Sequence, residues 1–121
     1  MNKNLLLVKV YGDFSPSDDA LFQSLNDMLE QEAAAGFLSG GEEKYVLRWH
    51  GASVLLGFEG LAFPLESTLR VLESHAARLG LSGRLDYIDM ELWSITRFVW
   101  AQGALSKKSG SLNAALDYSG F

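Results

Sequence analysis

From Leu5 to Tyr11 every position is apolar except Lys9, a pattern that predicts a strand covered on much of both faces and central in its sheet. Gly12-Asp13-Phe14-Ser15-Pro16 breaks that run. Ser15 fits an N-cap and Pro16 the first helical position, where a missing N–H costs nothing. Leu21, Leu25, Met28, Leu29 and Ala33 then fall on one stripe, while Asp27, Glu30, Gln31 and Glu32 fall largely outside it. A helix is expected over 16–35, with Gly36 as its stop. Ser39-Gly40-Gly41-Glu42-Glu43 reads as a loop. After it Tyr45, Leu47 and Trp49 alternate with Val46, Arg48 and His50, Gly51-Ala52 turns the chain, and Val54, Leu56 and Phe58 return as the second arm of a hairpin. Gly57 suggests a bulge or a close approach.

Pro64 opens a second helix whose stripe, Leu65, Leu69, Leu72, Ala76 and Leu79, runs to a C-terminal Gly80. Arg84 to Trp93 reads as a strand with Leu85, Tyr87, Asp89, Glu91 and Trp93 on one face and Asp86, Ile88, Met90 and Leu92 on the other. Beyond Glu91 the periods conflict. Leu92, Ile95 and Val99 also fit helical spacing, so 92–118 divides between a long bent strand and a short strand followed by a helix. Lys107-Lys108-Ser109-Gly110-Ser111 reads as a loop and 112–118 as one or two helical turns.

The order strand, helix, hairpin, helix, strand is similar to the split βαβ arrangement of ferredoxin-like sandwiches, in which two helices cover one face of an antiparallel sheet. The expectation is therefore one α+β domain, a ferredoxin-like βαββαβ core over about 5–93 with a C-terminal extension over 94–121. That architecture hosts many unrelated functions, so it says little about activity.

The chain has 121 residues, 48% hydrophobic and 21% charged, a size and balance suited to burying one core. Lys9 interrupts the apolar run near the N-terminus, which speaks for a strand over a signal peptide. No run approaches the roughly 18–20 apolar residues of a membrane span. There is no cysteine. Thiolate chemistry and disulfides are thereby excluded, and a cytoplasmic, bacterial-type protein is expected. The net charge of −5 argues against direct nucleic-acid binding. Its distribution is uneven: between Val10 and Glu43 there are eight acids and no Lys or Arg.

Two histidines, His50 and His75, lie in separate elements with no metal-ligand spacing, so no metal and no cofactor is expected. The glycine clusters lack the Lys and Ser/Thr of a phosphate loop, and no nucleophile elbow is present. The best enzymatic lead is Asp89 with Glu91, two apart on one strand face, which with Trp49, Tyr87 and Trp93 could line an acidic, aromatic pocket. Asp86, on the other face, calls for a cation such as Arg84 or Arg48.

Binding has two leads. The acids of the first helix, Asp18, Asp19, Asp27, Glu30 and Glu32, would steer a basic partner. Trp93, Phe98 and Trp100 would offer an apolar surface to a partner or a second copy. The expected function is a non-enzymatic protein-binding module, such as an inhibitor or an immunity or antitoxin-like protein, with homodimerisation through the sheet. A small enzyme or ligand-binding domain is the alternative.

Overall fold

The computed structural model describes residues 7–35 and 44–113. Along them run β1 (Val8–Ser15), α1 (Asp19–Ala34), β2 (Lys44–His50), β3 (Ser53–Gly60), α2 (Leu65–Leu79), β4 (Ser82–Asp89), β5 (Ser94–Ala101) and β6 (Ala104–Ser111). The strands form one six-stranded sheet in the order β2-β3-β1-β4-β5-β6, every pair antiparallel. This overturns the ferredoxin-like sandwich: the fold is a sheet-rich α+β arrangement whose strand count and order differ from a simple βαββαβ unit. Residues 94–111 are a continuation of the sheet, since β4 pairs with β5 from Gly83–Trp100 to Asp89–Ser94.

β1 is central, as its apolar run implies, but it begins later and runs through Gly12 to Ser15. Gly12 does not break it. It sits on the buried side, where a β-carbon would collide with the ring of Phe14, so the glycine makes room for that ring. Only one side of β1 is fully covered: Val8, Val10 and Phe14 are buried, whereas Tyr11 and Asp13 face outward. The true N-cap of α1 is Asp18, whose carboxylate accepts from the Leu21 N–H at 3.0 Å. Ser15 ends β1 instead, ahead of a cis peptide to Pro16. Leu21, Leu25 and Leu29 are the buried stripe. The expected stop at Gly36 and the loop over 39–43 lie outside the described residues.

The β2–β3 hairpin closes over Gly51 and Ala52. Gly57 makes no bulge: it pairs in register with Tyr11 and Val46, and a β-carbon there would meet nothing. α2 follows Pro64 and ends on Gly80 at φ 60°, a left-handed cap that glycine adopts without cost. Buried Thr68 is satisfied by donating to the Pro64 carbonyl at 2.8 Å.

The core lies between the two helices and one side of the sheet. Leu56 and Phe58 of β3, Val10 and Phe14 of β1, Leu85 of β4, and Phe98 and Trp100 of β5 meet Leu21, Leu25, Leu29, Leu72 and Ala76 of the helices. Phe98 and Trp100 are therefore core residues and not a docking surface. Between β5 and β6 the turn is Gln102-Gly103, both at positive φ (52° and 87°), the backbone of a tight hairpin. The segment read as a Lys-rich loop is the edge strand β6. Its lysines are in keeping with an edge that discourages further strand pairing.

Candidate functional site

The register divides the surface by charge. The helical layer carries Asp18, Asp19, Asp27, Glu30, Glu32, Glu66 and Glu73 against Arg70 and Arg78. The opposite, open side of the sheet carries Lys9, Arg48, Arg84, Arg97 and Lys108 against Asp13, Glu59 and Asp86. A chain of net charge −5 thus presents an acidic helical side and a cationic sheet side.

The acidic side is not uniform. Asp19, Phe22 and Glu30 fall on one stripe of α1, the one beside the edge strand β2. Phe22 stacks on Trp49 of β2 at 5.5 Å and 11°, and Trp49 stays 40% exposed. At the other end of the stripe Glu30 lies near Tyr45, whose phenol is pushed above its usual range first by burial and then by that carboxylate. One edge of the molecule therefore pairs an exposed aromatic stack with carboxylates at both ends. Asp27 accepts from Gln23 at 2.8 Å on the solvent side of the helix, and Glu32 is turned inward to accept from Ser67 of α2 at 2.7 Å. Glu32 acts as a helix–helix tie.

Asp18 is also committed within the protein. Its carboxylate takes a 2.6 Å hydrogen bond from Arg78 Nη1 of α2 as well as the capping bond from Leu21. These two, the arginine first, hold its pKa down at about 2 against an ordinary 3.8. A depressed carboxyl stabilises the fold above its unfolded pKa, and that contribution disappears as protons reach the native group. Between about pH 4 and pH 2 the urea midpoint of the wild type is thus expected to fall toward that of Asp18→Asn, which keeps a capping oxygen but lacks the charge. A gap between the two proteins that is the same at pH 6 and pH 2 would contradict this.

Arg78 Nη2 also donates to His75 Nδ1 at 2.6 Å, which leaves the ring proton on Nε2, facing Ser24 Oγ at 3.3 Å. A histidine that is a donor at Nε2 cannot take the serine proton, so the Ser24–His75 contact is not a nucleophile and its base. His50 lies exposed beside the hairpin turn. Among the described residues no three His, Asp or Glu side chains converge as a metal site.

The acidic, aromatic pocket expected on one strand face is not assembled. Tyr87 and Asp89 do share the helix-facing side of β4, but Trp49 sits across the sheet at the opposite end of the strands and Glu91 lies in the β4–β5 turn. Asp89 Oδ1 accepts from the Glu91 and Leu92 N–H groups at 3.0 and 2.9 Å, the work of a turn-closing aspartate. Burial first, and then Asp89, pushes the Tyr87 phenol up. Trp93, at φ 54°, is half-exposed and donates its indole N–H to Asn113 at 2.8 Å, next to the 74% exposed Leu92. Of the helical turns expected over 112–118, residues 114–118 lie outside the described residues.

On the open side, Asp86 is only 7% exposed and its main partner is Arg97 of β5, the cross-strand neighbour, at 2.7 and 3.1 Å. The carboxylate holds the Arg97 guanidinium above its ordinary pKa. Arg84, expected to pair with Asp86, reaches it only at 3.8 Å and remains 58% exposed, and Arg48 lies three strands away on β2. Sequence reasoning missed Arg97 because 92–100 was readable as helix. Strict alternation sets Ile95, Arg97 and Val99 on one face against Thr96, Phe98 and Trp100 on the other, while the match of Arg97 with Asp86 comes only from the β4–β5 register.

Beside that pair a shallow cleft of about 670 Å³ opens among β3, β1, β4 and β5. No described helix is long and apolar enough to cross a membrane. No family model, curated protein or solved structure matches this chain, so its site is described by its own geometry alone.

Proposed function

We propose that the protein is a non-enzymatic binding module that holds a basic partner protein against the edge formed by α1 and β2. What carries this reading is the exposed Trp49–Phe22 stack flanked by Asp19 and Glu30 on one stripe. A large, half-exposed aromatic ring supplies desolvated contact area, and carboxylates around it steer and orient a cationic surface. An inhibitor or an immunity or antitoxin-like role, in a cytoplasmic setting compatible with the cysteine-free composition, fits this chemistry. Of the acids expected to bind, Asp19, Asp27 and Glu30 are exposed, whereas Asp18 and Glu32 are bonded within the helical layer.

The test is capture of native-host proteins on the immobilised full chain, followed by affinity measurement for the captured partner. Asp19→Lys, Asp27→Lys and Glu30→Lys together are expected to leave the thermal midpoint nearly unchanged and to weaken capture by on the order of tenfold at low salt, mostly through slower association. The difference should shrink at high ionic strength, where exposed charges are screened. Trp49→Ala is expected instead to speed dissociation at every salt concentration. Binding indifferent to both changes moves the interface away from this edge.

A further inference from the structure

The cleft on the open side of the sheet shares no residue with the α1–β2 edge, and its lining has a chemistry of its own. In the β1–β4 register Asp13 faces Arg84 directly and Ser15 faces Ser82, while Ser53 of β3 and Arg97 of β5 close the two sides. Cross-strand neighbours place their β-carbons about 5 Å apart. Even so, Asp13 and Arg84 form no ion pair, and among the described residues no side chain bonds the Asp13 carboxylate or the Ser15 and Ser53 hydroxyls. Arg84 is over half exposed and 3.8 Å from its nearest carboxylate, so its donors remain available. Arg97 is fixed in place by hydrogen bonds to both oxygens of Asp86, and the pair forms a rigid polar wall.

We infer that this cleft is a binding site for a small oxyanion that also carries a hydrogen-bond donor, either a phosphate monoester or a hydroxycarboxylate. Asp86 offsets the charge of Arg97, so the cation that meets an anion is Arg84, whose guanidinium is over half exposed and lies beside three serine hydroxyls. Arg84 and the serine hydroxyls donate to its oxygens. Asp13, an acceptor only, takes a hydroxyl of the same ligand about one cross-strand spacing away. The cleft is open to solvent, and its volume of about 670 Å³ has room for a small molecule.

The experiment is an amide NMR titration of the full chain with inorganic phosphate, glycerol 2-phosphate and lactate, each against sodium chloride at equal ionic strength. Saturable shifts are expected at Ser15, Ser53 and Ser82 to Arg84, with glycerol 2-phosphate or lactate binding more tightly than bare phosphate. Which of the two is preferred tells phosphate from carboxylate. Arg84→Gln, an exposed change, should weaken binding by about tenfold or more. Asp13→Asn should remove the advantage of glycerol 2-phosphate over inorganic phosphate and leave phosphate binding itself in place. Shifts reproduced by chloride, shifts centred on the helical side, no saturation up to roughly 50 mM, or Arg84→Gln binding like the wild type would each overturn the assignment.

Discussion

Trp100→Ala is expected to destabilise the protein by about 3–5 kcal/mol, the range for removing a large aromatic side chain from a core. The ring is 1% exposed, packs with Leu and Phe side chains of the core cluster, and meets Phe14 edge-to-face at 6.0 Å and 85°. Alanine would leave a cavity that two strands and two helices cannot collapse without losing their register. The loss would appear as a lower denaturant midpoint at an unchanged slope. The indole N–H complicates the site in a useful way. It is buried with no hydrogen-bond partner among the described residues, so the native side chain carries a desolvation cost of about 1–3 kcal/mol. Trp100→Phe gives up some ring volume but removes that cost, and it should lie within about 1.5 kcal/mol of wild type. Phe no better than Ala at this position would mean that the indole makes a contact the geometry does not contain.

Gly83→Ala is expected to cost about 3 kcal/mol, although it adds a single methyl group. Gly83 stands at φ 140°, and a β-carbon built on it would run into the carbonyl oxygen of Asp13 on the neighbouring strand. The backbone would have to leave both its dihedral well and its place in the ladder. Gly83 also lies between Phe14 and Trp100 in the pairing, opposite each of them. With no side chain there, the two rings touch across β4. The alanine therefore disturbs the same aromatic contact that Trp100→Ala removes, and the double variant should be less destabilised than the two single losses combined. Gly57→Ala is the control: it has open space and no positive φ, and should stay within about 1 kcal/mol of wild type. Equal effects at Gly57 and Gly83 would remove the steric explanation.

The helices were legible because each buries one stripe on one core, so Leu21, Leu25 and Leu29, or Leu72 and Ala76, recur at helical spacing. The β2–β3 hairpin and the end of α2 were legible for a similar local reason, a glycine at the turn or cap. β5 was not, because Ile95 and Val99 face the open side while Phe98 and Trp100 face the core. A strand apolar on both faces fits more than one period. β6 was hidden for the opposite reason: as an edge strand it is exposed almost throughout, so Ala104–Ser111 carries no apolar alternation at all.

The candidate site divides along the same line. The sequence by itself determined two amphipathic helices, a hairpin, an apolar first strand and a concentration of acids in the first third, because all of these are set by neighbours along the chain. It could not determine which of those acids are free: Asp18 and Glu32 are engaged by Arg78 and Ser67, far away in sequence. Nor could it show that Asp86 belongs to Arg97, that Phe98 and Trp100 are core, or that an arginine-lined cleft faces away from the acidic helices. Those depend on strand order and register, which arise only when distant segments pair. A shift of one residue would turn each of these side chains to the other face.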